Sequence, residues 1–195
     1  SYDIVLLHDA CYTEVGYDGY RPHSLLEIPG AKEIAVEFHS LSKSYNMTGW
    51  RIGMAVGDEE VIQALFKVKS NLDSGIAQAV QKMGIEALKW PEEAIKDRND
   101  KYQLRRDKVV TVLNRIGLQV SPPQASLYIW TRVPNGFSSA TFATALLDDL
   151  DIVVTPGSSY GKFGEGYIRL SLTLSDEDVD EAVRRISSWK IPDLV

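Results

Sequence analysis

Apolar and polar positions along the chain alternate between the two-residue period of strands and the 3.6-residue period of helices. The apolar run in Asp3-Ile4-Val5-Leu6-Leu7-His8-Asp9 predicts a buried strand ending at Asp9. Lys32-Glu33-Ile34-Ala35-Val36-Glu37-Phe38 alternates, predicting a second strand that delivers Ser40 to Lys43 to its end. Gly16 to Pro22 and Ile28-Pro29-Gly30 read as turns between them, and Met47 to Gly57 as a turn entering a buried strand. Asp58 fits the N-cap of a helix carrying Val61, Ile62, Leu65, Phe66 and Lys69 at helical spacing, broken by Ser70 to Gly75. Ile76 to Lys89 predicts another helix, stopped at Trp90-Pro91 because proline lacks the N–H and clashes with the preceding turn.

From Glu92 to Ile116 the positions Ile95, Tyr102, Val109, Leu113 and Ile116 mark one long amphipathic helix, with Arg105, Arg106 and Lys108 read as its solvated face. A domain boundary is expected inside it near residue 98, dividing the chain into 1–98 and 99–195. Gly117 fits a helix C-cap, and strands are expected at Leu118 to Val120, Ser126 to Trp130, Ile152 to Thr155 and Tyr167 to Leu172. Helices are expected from about Ser139 to Leu150 and after Ser175-Asp176-Glu177-Asp178, which resembles a capping box. Strands alternating with helices predict an α/β architecture. The glycines of Gly157 to Gly161 and Gly164 to Gly166 fit neither the dinucleotide fingerprint nor a P-loop.

Composition narrows the functional classes. With 44% hydrophobic and 25% charged residues, a soluble globular chain is expected. A net charge of −6 without a basic stripe argues against nucleic acid, and no apolar stretch approaches the roughly 20 residues of a membrane helix. The single cysteine, Cys11, is read as a structural thiol in a reducing, cytoplasmic setting. His8 and His39 are expected to point away from the faces of Asp9 and Ser40, as structural residues; His23 is expected at the surface, and no metal cluster emerges. The chain opens at Ser1 and enters a strand at once, which reads as a cut through a larger protein.

Chemistry concentrates at Lys43. It lies among the hydroxyls of Ser40, Ser42 and Ser44, with Arg51 eight residues on in a glycine-bearing apolar run. Strand ends are where α/β folds build sites, and a lysine placed there beside small hydroxyls suits imine chemistry with a carbonyl compound or pyridoxal phosphate. A guanidinium among apolar residues needs an anion, and its planar fork matches phosphate. Taken singly, Asp9 reads as a turn cap and Tyr12 as core. Arg169 shares a strand face with Tyr167 and Ser171 if Ile168, Leu170 and Leu172 face inward.

Ser40-Leu41-Ser42-Lys43 followed by Gly49-Trp50-Arg51-Ile52-Gly53 resembles the lysine motif of class I/II aminotransferases, the fold-type I group. The longer string from His8-Asp9-Ala10-Cys11-Tyr12-Thr13-Glu14 through Tyr17-Asp18-Gly19-Tyr20 to Arg51 is similar to the LL-diaminopimelate branch of that family. The resemblance spans essentially the whole chain but corresponds to the C-terminal half of such an enzyme: part of the cofactor-binding large domain and the small α/β domain. It implies pyridoxal 5'-phosphate as cofactor, amino-acid and 2-oxo-acid substrates, and a homodimer in the full-length protein, with this portion inactive alone. Residue by residue, it implies Lys43 as the catalytic lysine and cofactor anchor, and Ser40, Ser42 and Arg51 as phosphate ligands. Asp9 would pair with the pyridine nitrogen, Tyr12 with the phenolic oxygen, and Arg169 with the substrate α-carboxylate.

Asn71 and Ser74, in a loop that reaches the partner subunit's site in the family, are further candidates for substrate contact. Two other readings stay open at this point. Fold-type I lyases and decarboxylases share the constellation, and an aminotransferase-like module can serve as the ligand sensor of a transcription regulator.

Overall fold

Strand β2 (Ala35–Ser40) is the centre of a three-stranded sheet in a computed structural model that describes residues 4–192. On one side β1 (Leu6–Asp9) pairs with it in parallel, placing Asp9 opposite Phe38. On the other side β3 (Gly53–Gly57) runs antiparallel, with Gly53 opposite Ser40. The ends of β1 and β2 and the start of β3 therefore share one edge of the sheet. Two glycines make the β2–β3 approach possible: a Cβ at Gly53 would lie 2.6 Å from the His39 carbonyl oxygen, and one at Gly57 2.1 Å from that of Ala35.

The short helix α1 (Leu41–Ser44) follows β2 without a break. Helices α2 (Glu59–Leu72), α3 (Gln78–Ala87) and α4 (Glu92–Arg115) complete this part of the chain. The chain divides within α4 into two compact units, Ser1–Asn99 and Asp100–Val195.

In the second unit β4 (Tyr128–Arg132), β6 (Tyr167–Ser171) and β5 (Thr155–Pro156) form an antiparallel sheet in the order β4-β6-β5. Alternation turns Ile129, Thr131, Ile168 and Leu170 inward, where α5 (Ser139–Leu150) and α6 (Asp176–Ser188) contribute Phe142, Leu146, Val179 and Ile186 to one core. Each helix starts on a serine: Ser138 and Thr141 form a reciprocal capping box, and the Ser175 hydroxyl oxygen accepts the Asp178 N–H at 3.1 Å.

Several expectations change. The strand expected from Asp3 begins at Leu6 and is exposed rather than buried, with Leu7 67% accessible; Asp3 itself lies outside the described residues. Residues 31–33 form a 3-10 turn, so the second strand starts at Ala35 and runs through Ser40. Helix α2 continues through Asn71, whose side-chain amide donates to the Lys67 carbonyl at 2.7 Å, so Asn71 is helical rather than in a loop. No strand forms at 118–120, because Asn114 supplies both partners: Val120 N–H donates to Asn114 Oδ1 at 2.8 Å and Asn114 Nδ2 donates to the Val120 carbonyl at 3.0 Å. The strand expected over Ile152 to Thr155 pairs only at Thr155–Pro156. Arg106 is buried, not solvated, and donates to the Pro123 carbonyl at 2.9 Å. No helix of the described residues is long and apolar enough to cross a membrane.

Candidate active site

Ser40 closes β2 and caps α1. Its backbone is extended, and its hydroxyl oxygen accepts the Ser42 N–H at 3.2 Å, leaving its own hydrogen free to donate. That cap turns the chain so that Lys43 falls on α1, directly past the strand end. Below it, Leu41 packs with Met47, Ala87, Ile52 and Met83. Gly84 lets α3 come close, since a Cβ there would meet Ile52 Cδ1 at 2.7 Å.

The far side of α1 is held by charge. Arg98 donates to the carbonyls of Lys43, Ser44 and Glu14, and Asn99 Nδ2 donates to Glu14 O at 2.9 Å. Three backbone carbonyls around the lysine are thereby fixed by one guanidinium 55 residues away in sequence. Neither Arg98 nor this role is visible in the sequence pattern; its one signal is an arginine on a half-buried position of a long helix.

Lys43 is half-buried, and among the described residues its Nζ has no hydrogen-bond or ion-pair partner. Arg51, exposed just before β3, sits in the left-handed region (φ 53°) and donates to its own turn at Thr48 O (3.0 Å), with no carboxylate partner among the described residues. Ser42 is buried and its carbonyl accepts from the Thr48 hydroxyl at 3.1 Å, tying α1 to the Arg51 turn.

Asp9 ends β1 with an exposed carboxylate that accepts the Cys11 N–H at 3.2 Å. Hydrogen bonds from the Cys11 thiol and N–H hold that carboxyl below its ordinary range. Burial, then the hydrogen bond and charge of Asp9, push the Cys11 thiol up to about 11, against an opposing pull from the Lys43 charge. Asp9, Cys11 and Lys43 are thus electrostatic neighbours. Tyr12 is half-buried in the turn after β1, where Val15 N–H donates to its carbonyl at 2.9 Å.

On β2 itself Glu37 is a charged residue only 1% exposed. It accepts from Ser24 Oγ (2.8 Å) and Leu25 N–H (2.5 Å), and it hydrogen bonds His8 Nδ1 and His39 Nε2, each at 2.9 Å. Burial alone raises this carboxyl; the hydrogen bonds of His8, Ser24, His39 and Leu25 outweigh it and hold the group at about 2. His8 and His39 are therefore structural, joined through one carboxylate, while His23 is exposed.

In the second unit Arg169 lies half-buried on β6 with its guanidinium against the rings of Tyr128 and Tyr160. It too has no hydrogen-bond or ion-pair partner among the described residues. The other described lysines and arginines that are not exposed, Arg98, Arg105, Arg106 and Arg185, all have such partners.

Residues 1–186 match the model of the family described as aminotransferase class I and II. The chain belongs to that family. It is 55% identical over 190 residues to the LL-diaminopimelate aminotransferase of Dehalococcoides mccartyi, a match covering 97% of this chain and 49% of the relative. Among solved structures it superposes on an aromatic aminotransferase from Pyrococcus horikoshii with a TM-score of 0.88 at 30% identity, covering 95% of this chain and 50% of that one. It also superposes on a probable N-succinyldiaminopimelate aminotransferase from Thermus thermophilus with a TM-score of 0.86 at 38% identity, covering 94% and 49%. The chain spans about half the length of the curated relatives it matches. Its mixed α/β fold is that of the corresponding part of the fold-type I aminotransferases.

Proposed function

We propose that this chain is the cofactor-anchoring and carboxylate-binding portion of a pyridoxal-phosphate-dependent aminotransferase whose amino donor is LL-diaminopimelate and whose acceptor is a 2-oxo acid such as 2-oxoglutarate. One observation carries the reading: Lys43 and Arg169 are the only non-exposed lysine or arginine side chains of the described residues without a hydrogen-bond or ion-pair partner. Partly desolvated cations without partners are costly, and both become favourable once an anion or a covalent partner arrives.

The donor set at the first sheet's edge fits the cofactor. Lys43 offers an amine, the Ser40 hydroxyl retains a hydrogen, Arg51 offers a guanidinium without a carboxylate, and Asp9 presents a carboxylate held in its charged form. On this reading Ser40, Ser42 and Arg51 hold the phosphate, Asp9 the protonated ring nitrogen and Tyr12 the phenolic oxygen. The bound group supplies the sink for the electron pair left at the substrate Cα. Lys43 Nζ would take the proton from the substrate Cα as a base and, as an acid, pass it on rather than return it to Cα, which requires the amine to be unprotonated when freed. Arg169 fixes the α-carboxylate through its paired N–H groups. The 55% identity to an LL-diaminopimelate aminotransferase supports the donor. The exposed apolar residues of β1 support a working enzyme that contains more chain than this and, by family likeness, acts as a homodimer. The one cysteine, free of disulfide, supports a cytoplasmic setting.

The test is direct. In the full-length protein, borohydride reduction should attach the cofactor to the peptide containing Lys43, and Lys43→Ala should abolish both this label and amino transfer from LL-diaminopimelate to 2-oxoglutarate. Label on another lysine, or transfer retained by the variant, would overturn the assignment. Alanine, aspartate and aromatic donors run in parallel test the substrate.

A further inference from the structure

The outward face of the second sheet is aromatic. With Ile129, Thr131, Ile168 and Leu170 turned into the core, Tyr128, Trp130 and Arg132 share the opposite face with Tyr167, Arg169 and Ser171. Arg169 is central, opposite Trp130 on one side and Thr155 on the other. Its guanidinium carbon lies 4.1 Å from the centroid of the Tyr128 ring and 4.8 Å from that of Tyr160. Tyr160 is itself braced: it meets Trp130 edge-on at 5.8 Å, and Trp130 stacks on Tyr167 at 5.5 Å and 16°.

Tyr160 does not belong to the sheet; it arrives on the 3-10 turn Gly157–Tyr160. That turn has little freedom. Gly157 and Gly164 pass so closely that a Cβ on either would lie 2.0 Å from the other's carbonyl oxygen. The Ser139 hydroxyl donates to Glu165 at 2.8 Å and lies 3.0 Å from the Ser158 hydroxyl, and Ser139 N–H donates to Glu165 at 2.7 Å. The ring is thus delivered to Arg169 from a pinned backbone.

We propose that Tyr128 and Tyr160 are positioning residues that hold the Arg169 guanidinium ready for a substrate carboxylate. This rests on the reading of Arg169 given above. An arginine side chain carries considerable rotamer freedom, part of which is lost each time it must organise around a ligand. Ring contact takes up that freedom beforehand. A cation over an aromatic face uses the flat side of the guanidinium, and the in-plane N–H groups that bind a carboxylate bidentately stay open. What Arg169 needs from each tyrosine is then the ring and not the hydroxyl.

In the full-length enzyme, Tyr160→Leu should raise KM for both LL-diaminopimelate and 2-oxoglutarate by about three- to tenfold, the range of a partly exposed cation–π contact, with kcat changed far less. Tyr160→Phe should restore KM, because it restores the ring. Tyr128→Leu should repeat the KM effect. Tyr160 is 50% exposed, so its replacement leaves the core intact, and thermal unfolding of each variant checks this. Unchanged KM in Tyr160→Leu, or a Phe variant as impaired as the Leu variant, overturns the proposal. Arg169→Leu separates the two levels. If it leaves both KM values unchanged, the carboxylate reading itself fails and the positioning role with it; if it raises them while the tyrosine variants do not, only the positioning role fails.

Discussion

The two units hold themselves together differently. In the second, Ile129, Ile168, Phe142 and Leu172 are fully buried in one continuous core that the unit's own sheet and helices close. In the first, strands of equal apolarity stay open: Leu6 is 39% exposed, Leu7 67% and Val56 39%, and the cluster beneath Lys43 is small. Burial of apolar area dominates the stability of the second unit. In the first, polar clasps carry more of the load: Glu37 gathers donors from β1, β2 and the turn at Ser24, while Arg98 ties three carbonyls around α1. The contrast teaches that an apolar run specifies a strand but does not guarantee that the same chain covers it.

The largest expected effect that sharpens this contrast comes from matched truncations. Phe142→Ala in the second unit should cost about 3–5 kcal/mol by urea unfolding, whereas Leu7→Ala in the first should stay within about 0.5 kcal/mol. Comparable losses at both positions would break the comparison. Next, Glu37→Ala should destabilise the first sheet by about 2–4 kcal/mol, since it strands the donors at His8, His39, Ser24 and Leu25 without their acceptor. Hydrogen exchange at β1 and β2 amides would register it, with β4 and β6 unchanged.

Acid offers a third, smaller lever. The Glu37 carboxyl is held at about 2 against an ordinary value of 4.5, so the unfolded chain takes up a proton at higher pH than the folded one. Its contribution is complete above about pH 5 and is lost as pH falls from there toward 2; the first unit should lose protection over that window by at most about 3 kcal/mol. Unchanged β2 exchange between pH 5 and 3 would contradict this. The smallest effect is chemical: with its thiol at about 11, Cys11 should alkylate slowly at neutral pH, and Asp9→Asn should speed it by removing a hydrogen bond and charge that raise the thiol. A rate unaffected by that change would contradict the coupling of Asp9 to the Cys11 thiol.

Reading the sequence located the long helix almost to the residue, from Glu92 to Arg115 against an expected end at Ile116, because a 3.6-residue pattern sustained over many turns is hard to imitate. Local pattern misleads at 118–120, where an asparagine side chain takes the place of a neighbouring strand, and over most of 152–155, where Ile152 N–H turns to the Leu146 carbonyl and strand pairing begins only at Thr155. Lys43 and Arg51 stand out by their local setting, a lysine among small hydroxyls at a strand end and a guanidinium in a glycine-bearing apolar run, whereas Asp9, Tyr12 and Arg169 are marked by the resemblance to the family. Glu37 and Arg98 are marked by neither, since each matters through groups distant along the chain.

By itself, then, the sequence determined the family and most of the order of strands and helices, and it marked the residues proposed to carry the chemistry, for these follow from periodicity, spacing and residue type over short distances. Only the tertiary structure decided which apolar strands are covered, that Glu37 is a buried clasp, that Arg106 is buried, and that Arg169 leans on two tyrosines while lacking an ionic partner among the described residues. The reason is physical. Burial, hydrogen-bond satisfaction and ring–cation contact depend on which surfaces meet across tens of residues, and no local pattern encodes that meeting.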